Sequence, residues 1–267
     1  MSSLYKPFQA ALTQPGLKQL GLTLKSSKPC ELLKGKVYSY LQIKAERPTP
    51  YPVIPDGTQA IYISAQGSMI AGAQLETRNI QLLDPGEYFG IWFYPGALRY
   101  FFDLNLNEIS GQLVDNHYFQ CNHFSRLHDE IYRYTDFIER ANICESWLLN
   151  RYSYNSITKF DLALQLVFQS SGCERVSQIA KKVGWSTRHL NRQFMQHIGL
   201  GTKAFSQVVR VQGVCKQLFL QPDAALNRTL EIGYFDQSHL IREFKQHLIS
   251  TPGEFFSRFM SDLYNPK

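Results

Sequence analysis

The spacing of apolar residues changes character along this 267-residue chain. Over roughly the first 120 residues, short runs rich in Tyr, Ile, Val and Phe contain alternating stretches and are separated by segments of Pro, Gly and Asp. A period of two is typical of half-buried β-strands, and the Pro and Gly segments are typical of turns. We therefore predict strands in four stretches: KVYSYLQIKA, QAIYISAQ, RNIQLL and EYFGIWFY.

Beyond this region the apolar spacing becomes helical. Apolar residues spaced three and four apart lie on one face of a helix. This spacing is found at Leu127, Ile131, Tyr134 and Ile138. The polar segment NRYSYNS then interrupts the pattern. We therefore predict two domains, residues 1–155 and residues 156–267, of which the first is β-rich with flanking helices and the second all-helical.

The second domain carries local sequence features that start and stop helices. Thr158 and Ser186 precede apolar-periodic stretches and are predicted to act as N-caps. Gly184 follows a short amphipathic stretch and is predicted to end that helix, and Pro222 is predicted to end a long one. The resulting order is a helix, a pair of short helices, a long helix and a further helical segment.

A nine-residue string occurs twice in the second domain. HLNRQFMQH at residues 189–197 returns as HLIREFKQH at residues 239–247, an offset of fifty. A repeat of this length indicates one supersecondary unit used twice. A short helix, a tight turn and a second helix form a helix-turn-helix. We predict the first unit at about 175–198, a linker helix at about 202–220 and the second unit at about 225–248.

Each repeated helix has an apolar stripe and a polar outer face. The stripes are Leu190, Phe194 and Ile198 in one copy and Leu240, Phe244 and Leu248 in the other. Arg and Asn on the outer face of such a helix form paired hydrogen bonds with guanine and adenine in the major groove, and Ile suits a thymine methyl. The predicted DNA-contacting residues are Arg188, Asn191, Arg192, Gln237, Ser238, Ile241 and Arg242.

Charge is concentrated in the repeated region. Residues 1–160 carry 15 Lys and Arg against 14 Asp and Glu, whereas residues 161–267 carry 13 against 8. The net charge is therefore +1 in the first part and +5 in the second. A basic domain favours a polyanionic partner, here double-stranded DNA.

The last hundred residues resemble the DNA-binding domain of the AraC/XylS family of bacterial transcription regulators. The resemblance lies in VSQIAKKVGWSTRHLNRQF in the first unit and GYFDQSHLIREFKQHLISTPGEF in the second. It implies two helix-turn-helix units joined by a long linker helix, and base contacts at the positions named above. Arg242 matches a position that contacts either a base or a phosphate.

The second unit departs from the family pattern at two positions. Thr229 stands where the family has Ala, and Ile249 replaces the Gly that usually follows the recognition helix. We therefore predict that the first unit is the main reader of DNA sequence. Alanine at Asn191 or Arg192 is expected to lower specific affinity more than alanine at Gln237 or Ile241, with little change in stability.

The stretch VIPDGTQAIYIS followed by GEYFGIWFYPGALRYFF resembles the β-rich, cupin-like sensor domain of one subgroup of the family. The resemblance implies a small-molecule effector site or a dimerisation surface, and it leaves the ligand open. Aromatic rings with one cation suit a small anionic or aromatic compound, although the same rings also suit a barrel interior. The effector-binding candidates are Tyr51, Tyr62, Trp92, Tyr94 and Arg99.

Alternatives to a ligand-gated regulator remain open from the residues. In the first, the N-terminal domain binds a protein or only dimerises. In the second, a cupin-type metalloenzyme is fused to a DNA-binding domain, but residues 30–110 contain no His to hold iron. A ligand-rich cluster elsewhere has a spacing that suits no standard zinc site: His117, Cys121, His123 and His128. We expect no catalytic residue, metal or cofactor.

The remaining features concern location and partners. Five scattered cysteines, no secretory leader and no long apolar run favour a protein of the reducing cytoplasm without a membrane span. A homodimer, and RNA polymerase if the protein activates transcription, are the further partners that the family resemblance implies.

Overall fold

The computed structural model describes residues 5–46, 49–65, 67–82, 86–115, 123–153, 157–220 and 232–255. The N-terminal part contains a six-stranded antiparallel sheet in the order β1-β2-β7-β4-β5-β8 and a two-stranded sheet, β3-β6. The strands are β1 Leu22–Ser27, β2 Val37–Ala45, β3 Thr49–Val53, β4 Gln59–Ser64, β5 Gly67–Ala71, β6 Arg78–Leu82, β7 Gly86–Phe93 and β8 Leu113–Asp115.

The eight helices of the described residues divide between the two parts of the chain. A short one, α1 (Gln14–Leu20), precedes the sheet, and short 3₁₀ turns lie at Ala97–Tyr100 and Leu106–Ile109. The others are α2 His123–Tyr132, α3 Phe137–Leu149, α4 Lys159–Gln169, α5 Val176–Val183, α6 Thr187–Ile198, α7 Thr202–Leu220 and α8 Gln237–Leu248.

Strand β7 shows the predicted alternation most clearly. Phe89, Ile91 and Phe93 point to a core that α2 and α3 cover. Tyr88 and Trp92 point to the opposite face, which packs against α1 and the small sheet. The prediction of an α+β chain with a β-rich first domain and flanking helices is confirmed. The predicted barrel is an open sheet: within the described strands, the edges β1 and β8 do not pair.

The helix predicted to run through Leu127, Ile131, Tyr134 and Ile138 is interrupted, because α2 ends at Tyr132 and α3 begins at Phe137. Asp136 is the N-cap of α3, and its carboxylate accepts hydrogen bonds from the main-chain nitrogens of Ile138 and Glu139. Tyr134 lies in the break, so it and Ile138 are exposed instead of sharing the buried face of Leu127. The local cap therefore outweighs the continuing apolar period.

The helical part has the predicted caps. Thr158 and Asp161 form a reciprocal capping box at α4, and the hydroxyl of Ser186 accepts from the main chain of His189 at α6. Gly184 ends α5 in the left-handed conformation, at φ +68°. The predicted boundary between residues 155 and 156 lies outside the described residues, as do Thr229, Pro222 and the start of the second unit, so these stay predictions.

Candidate nucleic-acid interface and its contacts with the first domain

Helix α6 has the two faces that the sequence predicts. Leu190, Phe194 and Ile198 are fully buried against α4, α5 and α7. Arg188 and Arg192 are exposed on the other side. Apart from a contact between Arg192 and the neighbouring ring of His189, these cations face solvent. The outer surface of α6 is therefore available to a polyanion.

Asn191 has a structural partner. Its side-chain oxygen accepts a hydrogen bond from the main-chain nitrogen of Thr202, at 3.1 Å, where α7 begins. The first turn of a helix has amide groups without a partner inside the helix, so this bond caps α7. Asn191 remains exposed, but its acceptor oxygen is engaged in joining α6 to the linker helix.

Helix α8 repeats the arrangement of α6. Its apolar stripe of Leu240, Phe244 and Leu248 is buried against α7. Asp236 caps the helix by accepting a hydrogen bond from the main chain of His239, at 2.6 Å. The predicted DNA-contacting residues lie on the outer side, with Ile241 half-buried and the other three exposed: Gln237, Ser238 and Arg242.

A buried ion pair fixes α8 to the linker helix, and the sequence analysis missed it. Arg210 of α7 donates two hydrogen bonds to the carboxylate of Glu243, at 2.9 and 2.7 Å. It also donates to the main-chain oxygen of Gly172, before the first unit. Burial acts to raise the pKa of Glu243, but the bonds and charge of Arg210 outweigh it and hold that pKa below its usual value. Arg210 thus connects α8 to the segment that precedes the first unit.

The C-terminal ends of both recognition helices contact the first domain. Gln59 donates to the main-chain oxygen of Ile198, at the end of α6. At the end of α8, the main-chain oxygen of His247 accepts a hydrogen bond from the main-chain nitrogen of Thr77, at 2.9 Å. The imidazole Nδ1 of His247 lies 2.6 Å from the main-chain oxygen of Leu75. The first domain therefore restrains both helices at once.

The N-terminal segment lies between the sheet and α7. The buried side-chain amide of Gln212 accepts a hydrogen bond from the main-chain nitrogen of Phe8 and donates one to the main-chain oxygen of Phe8. It also donates to the main-chain oxygen of Pro55. Tyr5 stacks on Phe168, with ring centres 4.5 Å apart. The N-terminal segment therefore contacts both the first domain and the linker helix.

The five effector-binding candidates do not line one cavity in the described part of the chain. The side chain of Tyr51 lies outside it. Tyr62 and Trp92 line a cavity of about 40 Å³, in which the Trp92 indole donates to Thr58. Tyr94 packs edge-on to Tyr38 on a neighbouring surface.

Arg99 lies apart from that cavity, at the contact between the two domains. Its guanidinium pairs with Asp161 of the α4 capping box and stacks on Phe160. Burial acts to raise the pKa of Asp161, but the charge of Arg99 and the bonds from Thr158 outweigh it, so that pKa is lowered. A single ion pair therefore connects the first domain to the start of the helical part.

A larger cleft of about 210 Å³ adjoins the 40 Å³ cavity and shares Trp92 with it. Its walls are the N-terminal segment, including Phe8, and strands β1 and β2. Lys28 lies at its edge, with its amine 4.1 Å from the centre of the Tyr38 ring. Burial, and then the charge of Lys6, lower the pKa of Lys28. Nothing local in the sequence distinguishes Lys28 from other lysines, so it is not among the predicted effector-binding residues.

Metal ligands are not grouped in the part of the chain that the structure describes. His128 instead contacts the main-chain oxygen of Ser64, at 2.9 Å, and Asp129. The other members of the ligand-rich cluster, His117, Cys121 and the side chain of His123, lie outside the described residues. None of the described helices is both long and apolar enough to cross a membrane.

Two models of known protein families match separate parts of the chain. A family model described as a helix-turn-helix domain matches residues 179–258, and a model of a domain of unknown function matches residues 25–115. The chain is 22% identical over 156 residues to uncharacterized HTH-type transcriptional regulators of Staphylococcus aureus strains MSSA476 and MRSA252. The match covers 56% of this chain but only 20% of those relatives' own length.

Solved structures of ToxT are similar over most of the chain. ToxT of Vibrio cholerae O395 has a TM-score of 0.43 and 10% identity, covering 89% of this chain and 98% of that one. The unsaturated fatty acid-bound wild-type ToxT of V. cholerae strain SCE256 has a TM-score of 0.41 and 11% identity, covering 90% and 95%.

Proposed function

We propose that this chain, which belongs to the AraC-type helix-turn-helix family, binds double-stranded promoter DNA and regulates transcription in the bacterial cytoplasm. The observation that carries the proposal is the duplicated recognition helix. Helices α6 and α8 share a buried apolar stripe, a polar outer face and an N-cap at an offset of fifty residues. One linker helix, α7, holds both.

The chemistry of the outer faces defines what each helix would contact. Arg188 and Arg192 are exposed and suit guanine, whereas Gln237 suits adenine. Half-buried Ile241 suits a thymine methyl, and Arg242 either a base or a phosphate. Because α7 holds the two helices together, one monomer would contact two successive major-groove segments about one helical turn apart.

Regulation would act through the contacts between the domains. Both recognition helices are held at their C-terminal ends by the first domain, and the N-terminal segment is bonded to Gln212. A ligand in the cleft beside Lys28 would press on that segment and change which domain arrangement is favoured. The cleft has both polar and apolar walls, and the exposed Lys28 amine at its edge suits a small anion with an apolar body.

A second candidate role for the first domain is self-association. Tyr134, between α2 and α3, and Ile138 of α3 are exposed, and residues of both helices, including Arg126, Glu130 and Trp147, line an open groove of about 470 Å³. Sedimentation of the wild type and of Ile138→Glu would test this role. A dimer that the charge dissociates would favour it, and a wild-type monomer at all concentrations would remove it.

The DNA proposal is tested with the full chain. A binding site is selected from random duplexes, and affinity for it is compared with random DNA by fluorescence anisotropy from 50 to 200 mM salt. Lys and Arg release counterions from phosphates, so affinity should fall steeply with salt. Arg188→Ala with Arg192→Ala should remove most of the preference for the selected site. Failure to select any sequence, or an affinity that ignores salt, would contradict the proposal.

Gating and catalysis are tested separately. A thermal-shift panel of small carboxylates should show stabilisation that Lys28→Ala removes, with exposed Lys25→Ala as the matched control. No shift across the panel would favour a first domain that binds a protein or only dimerises. Metal analysis of purified protein tests the alternative of a fused metalloenzyme, since we propose no enzymatic activity. RNA polymerase becomes a partner if the protein activates its promoter.

A further inference from the structure

The left-handed glycine before each recognition helix lies at a different distance from the N-cap, two residues in the first unit and three in the second. In the first unit, only Trp185 separates Gly184, which ends α5, from the N-cap Ser186. In the second unit the corresponding segment holds two aromatic residues, Tyr234 and Phe235. The second turn therefore has one aromatic residue more than the first.

Tyr234 directly follows a glycine in the left-handed conformation, as Trp185 does. Its ring packs edge-on against His239, with centroids 5.3 Å apart, as the ring of Trp185 does against His189 at 4.7 Å. Tyr234 is buried in the core of the second unit. Phe235 is the additional residue, and its side chain is 92% exposed, more than any other large apolar side chain in the part of the chain that is described.

The turn is anchored on both sides of Phe235. On one side the hydroxyl of Tyr234 donates to the carboxylate of Glu243, at 3.0 Å. On the other, Asp236 caps α8 through its bond from His239. Because both neighbours are fixed, the backbone at Phe235 is held in a position from which its side chain extends into solvent.

We infer that Phe235 contacts the methyl group of a thymine in the major groove and helps to determine the sequence that the second unit prefers. The inference rests on the proposed DNA binding. Phe235 adjoins the N-terminal end of α8, where Gln237 and Ser238 are exposed, and this end of a recognition helix is the part that meets base edges. Among the groups that bases present in the major groove, the thymine methyl is the apolar one, and a phenyl ring suits it.

The test is a double-mutant cycle between protein and DNA. A DNA site is selected with the wild-type protein. Each thymine in the half of the site that the second unit contacts is then replaced in turn by deoxyuridine, which lacks the methyl group. Removing the contacted methyl should weaken wild-type binding about fourfold, the effect of one buried methyl group. Phe235→Ser should weaken binding to the thymine site by a similar or larger factor, and the same uracil replacement should then have no further effect.

The controls separate the possible failures. Leu32→Ser removes a side chain that is 66% exposed in the first domain, and it should leave every affinity unchanged. Thermal stability of Phe235→Ser should match the wild type. The inference is overturned if uracil weakens the wild type and the variant equally, or if Phe235→Ser changes nothing. If wild type and Leu32→Ser select no DNA at all, the proposed function itself fails.

Discussion

Arg99 of the first domain pairs with Asp161, the same carboxylate that closes the capping box at the start of α4. Asp161 also accepts from the hydroxyl of Tyr100, at 2.9 Å, and from the main chain of Thr158. The side chains of the ion pair are only 13% and 5% exposed. The domain contact and the local helix cap therefore depend on one buried group, and the effector role predicted for Arg99 would compete with this pair.

We expect Arg99→Ala to lower the free energy of unfolding by about 2 kcal/mol. Breaking a buried pair typically costs more, but three donors besides Arg99 remain on Asp161. Urea denaturation of Arg99→Ala, Asp161→Asn and the double variant measures the coupling. A double variant whose loss equals the sum of the single losses would show that the two side chains do not stabilise each other.

The sequence predicted the features that depend on neighbouring residues. Thr158, Ser186 and Gly184 act as caps because their partners lie within four residues. The pair between Arg210 and Glu243, by contrast, joins residues 33 positions apart. Neither an Arg on a long helix nor a Glu near an apolar stripe identifies its partner, since the pairing arises only when α7 and α8 pack.

The fold of the first domain also depends on contacts between residues that are distant in the sequence. Alternation predicted strands such as β7, but whether a sheet closes into a barrel depends on which strands become its edges. No local pattern specifies that pairing. The bonds of Gln212 to Phe8 span 204 residues, so no local pattern indicates that the N-terminal segment lies on the linker helix.

Asn191 and Arg192 should differ in their effects, which revises the expectation that neither affects stability. Asn191→Ala should destabilise the protein by about 1 kcal/mol, because the buried nitrogen of Thr202 loses its capping partner. Arg192→Ala should leave stability within about 0.5 kcal/mol, since Arg192 is exposed, while lowering discrimination between sites by about 1–3 kcal/mol.

Asn191→Asp is the matched variant, because a carboxylate keeps the acceptor at the start of α7. It should retain stability but weaken binding to all DNA through repulsion of phosphates. Chemical denaturation and anisotropy on the same preparations measure both effects. Equal stability of Asn191→Ala and wild type would show that the bond to Thr202 contributes nothing.

Ile249 and Gly199 are equivalent in the repeat but differ in conformational cost. Both end a recognition helix in the left-handed region, Gly199 at φ +87° and Ile249 at φ +56°. A side chain with a branched β-carbon is strained there, by about 1–2 kcal/mol. Because Ile249 is also 69% exposed, replacing it removes little burial. We expect Ile249→Gly to raise the free energy of unfolding by about 1 kcal/mol.

The reverse change in the first unit should be harmful. A β-carbon at Gly199 would lie 2.7 Å from the main-chain oxygen of Leu106, in addition to the strain at its φ. Gly199→Ala should therefore lower stability and shift the end of α6 against the first domain. If Ile249→Gly proved no more stable than the wild type, the unfolded chain's greater freedom with glycine would have cancelled the relief of strain.

His197 should make the protein less stable in mild acid. Burial, and then the charge of Arg99, lower the pKa of His197 to about 4 from its ordinary value of 6.5, although Asp161 and Asp103 act in the opposite direction. Between these two values the unfolded chain binds a proton that the folded chain excludes. Stability is therefore full above about pH 6.5 and falls as the pH decreases towards 4, by about 2 kcal/mol for this partly buried ring.

The comparison of wild type with His197→Gln isolates this effect, because all other titrating groups are common to both proteins. Glutamine fills similar space beside Phe160, which the His197 ring contacts at 4.9 Å between centroids, and it does not titrate. The unfolding free energy of both proteins is measured by urea denaturation from pH 7.5 to 4.5. The value for the wild type should fall relative to that for His197→Gln as the pH decreases. A difference that stays constant over that range would mean that His197 is protonated equally in the folded and unfolded chains, and that burial and the charge of Arg99 do not lower its pKa.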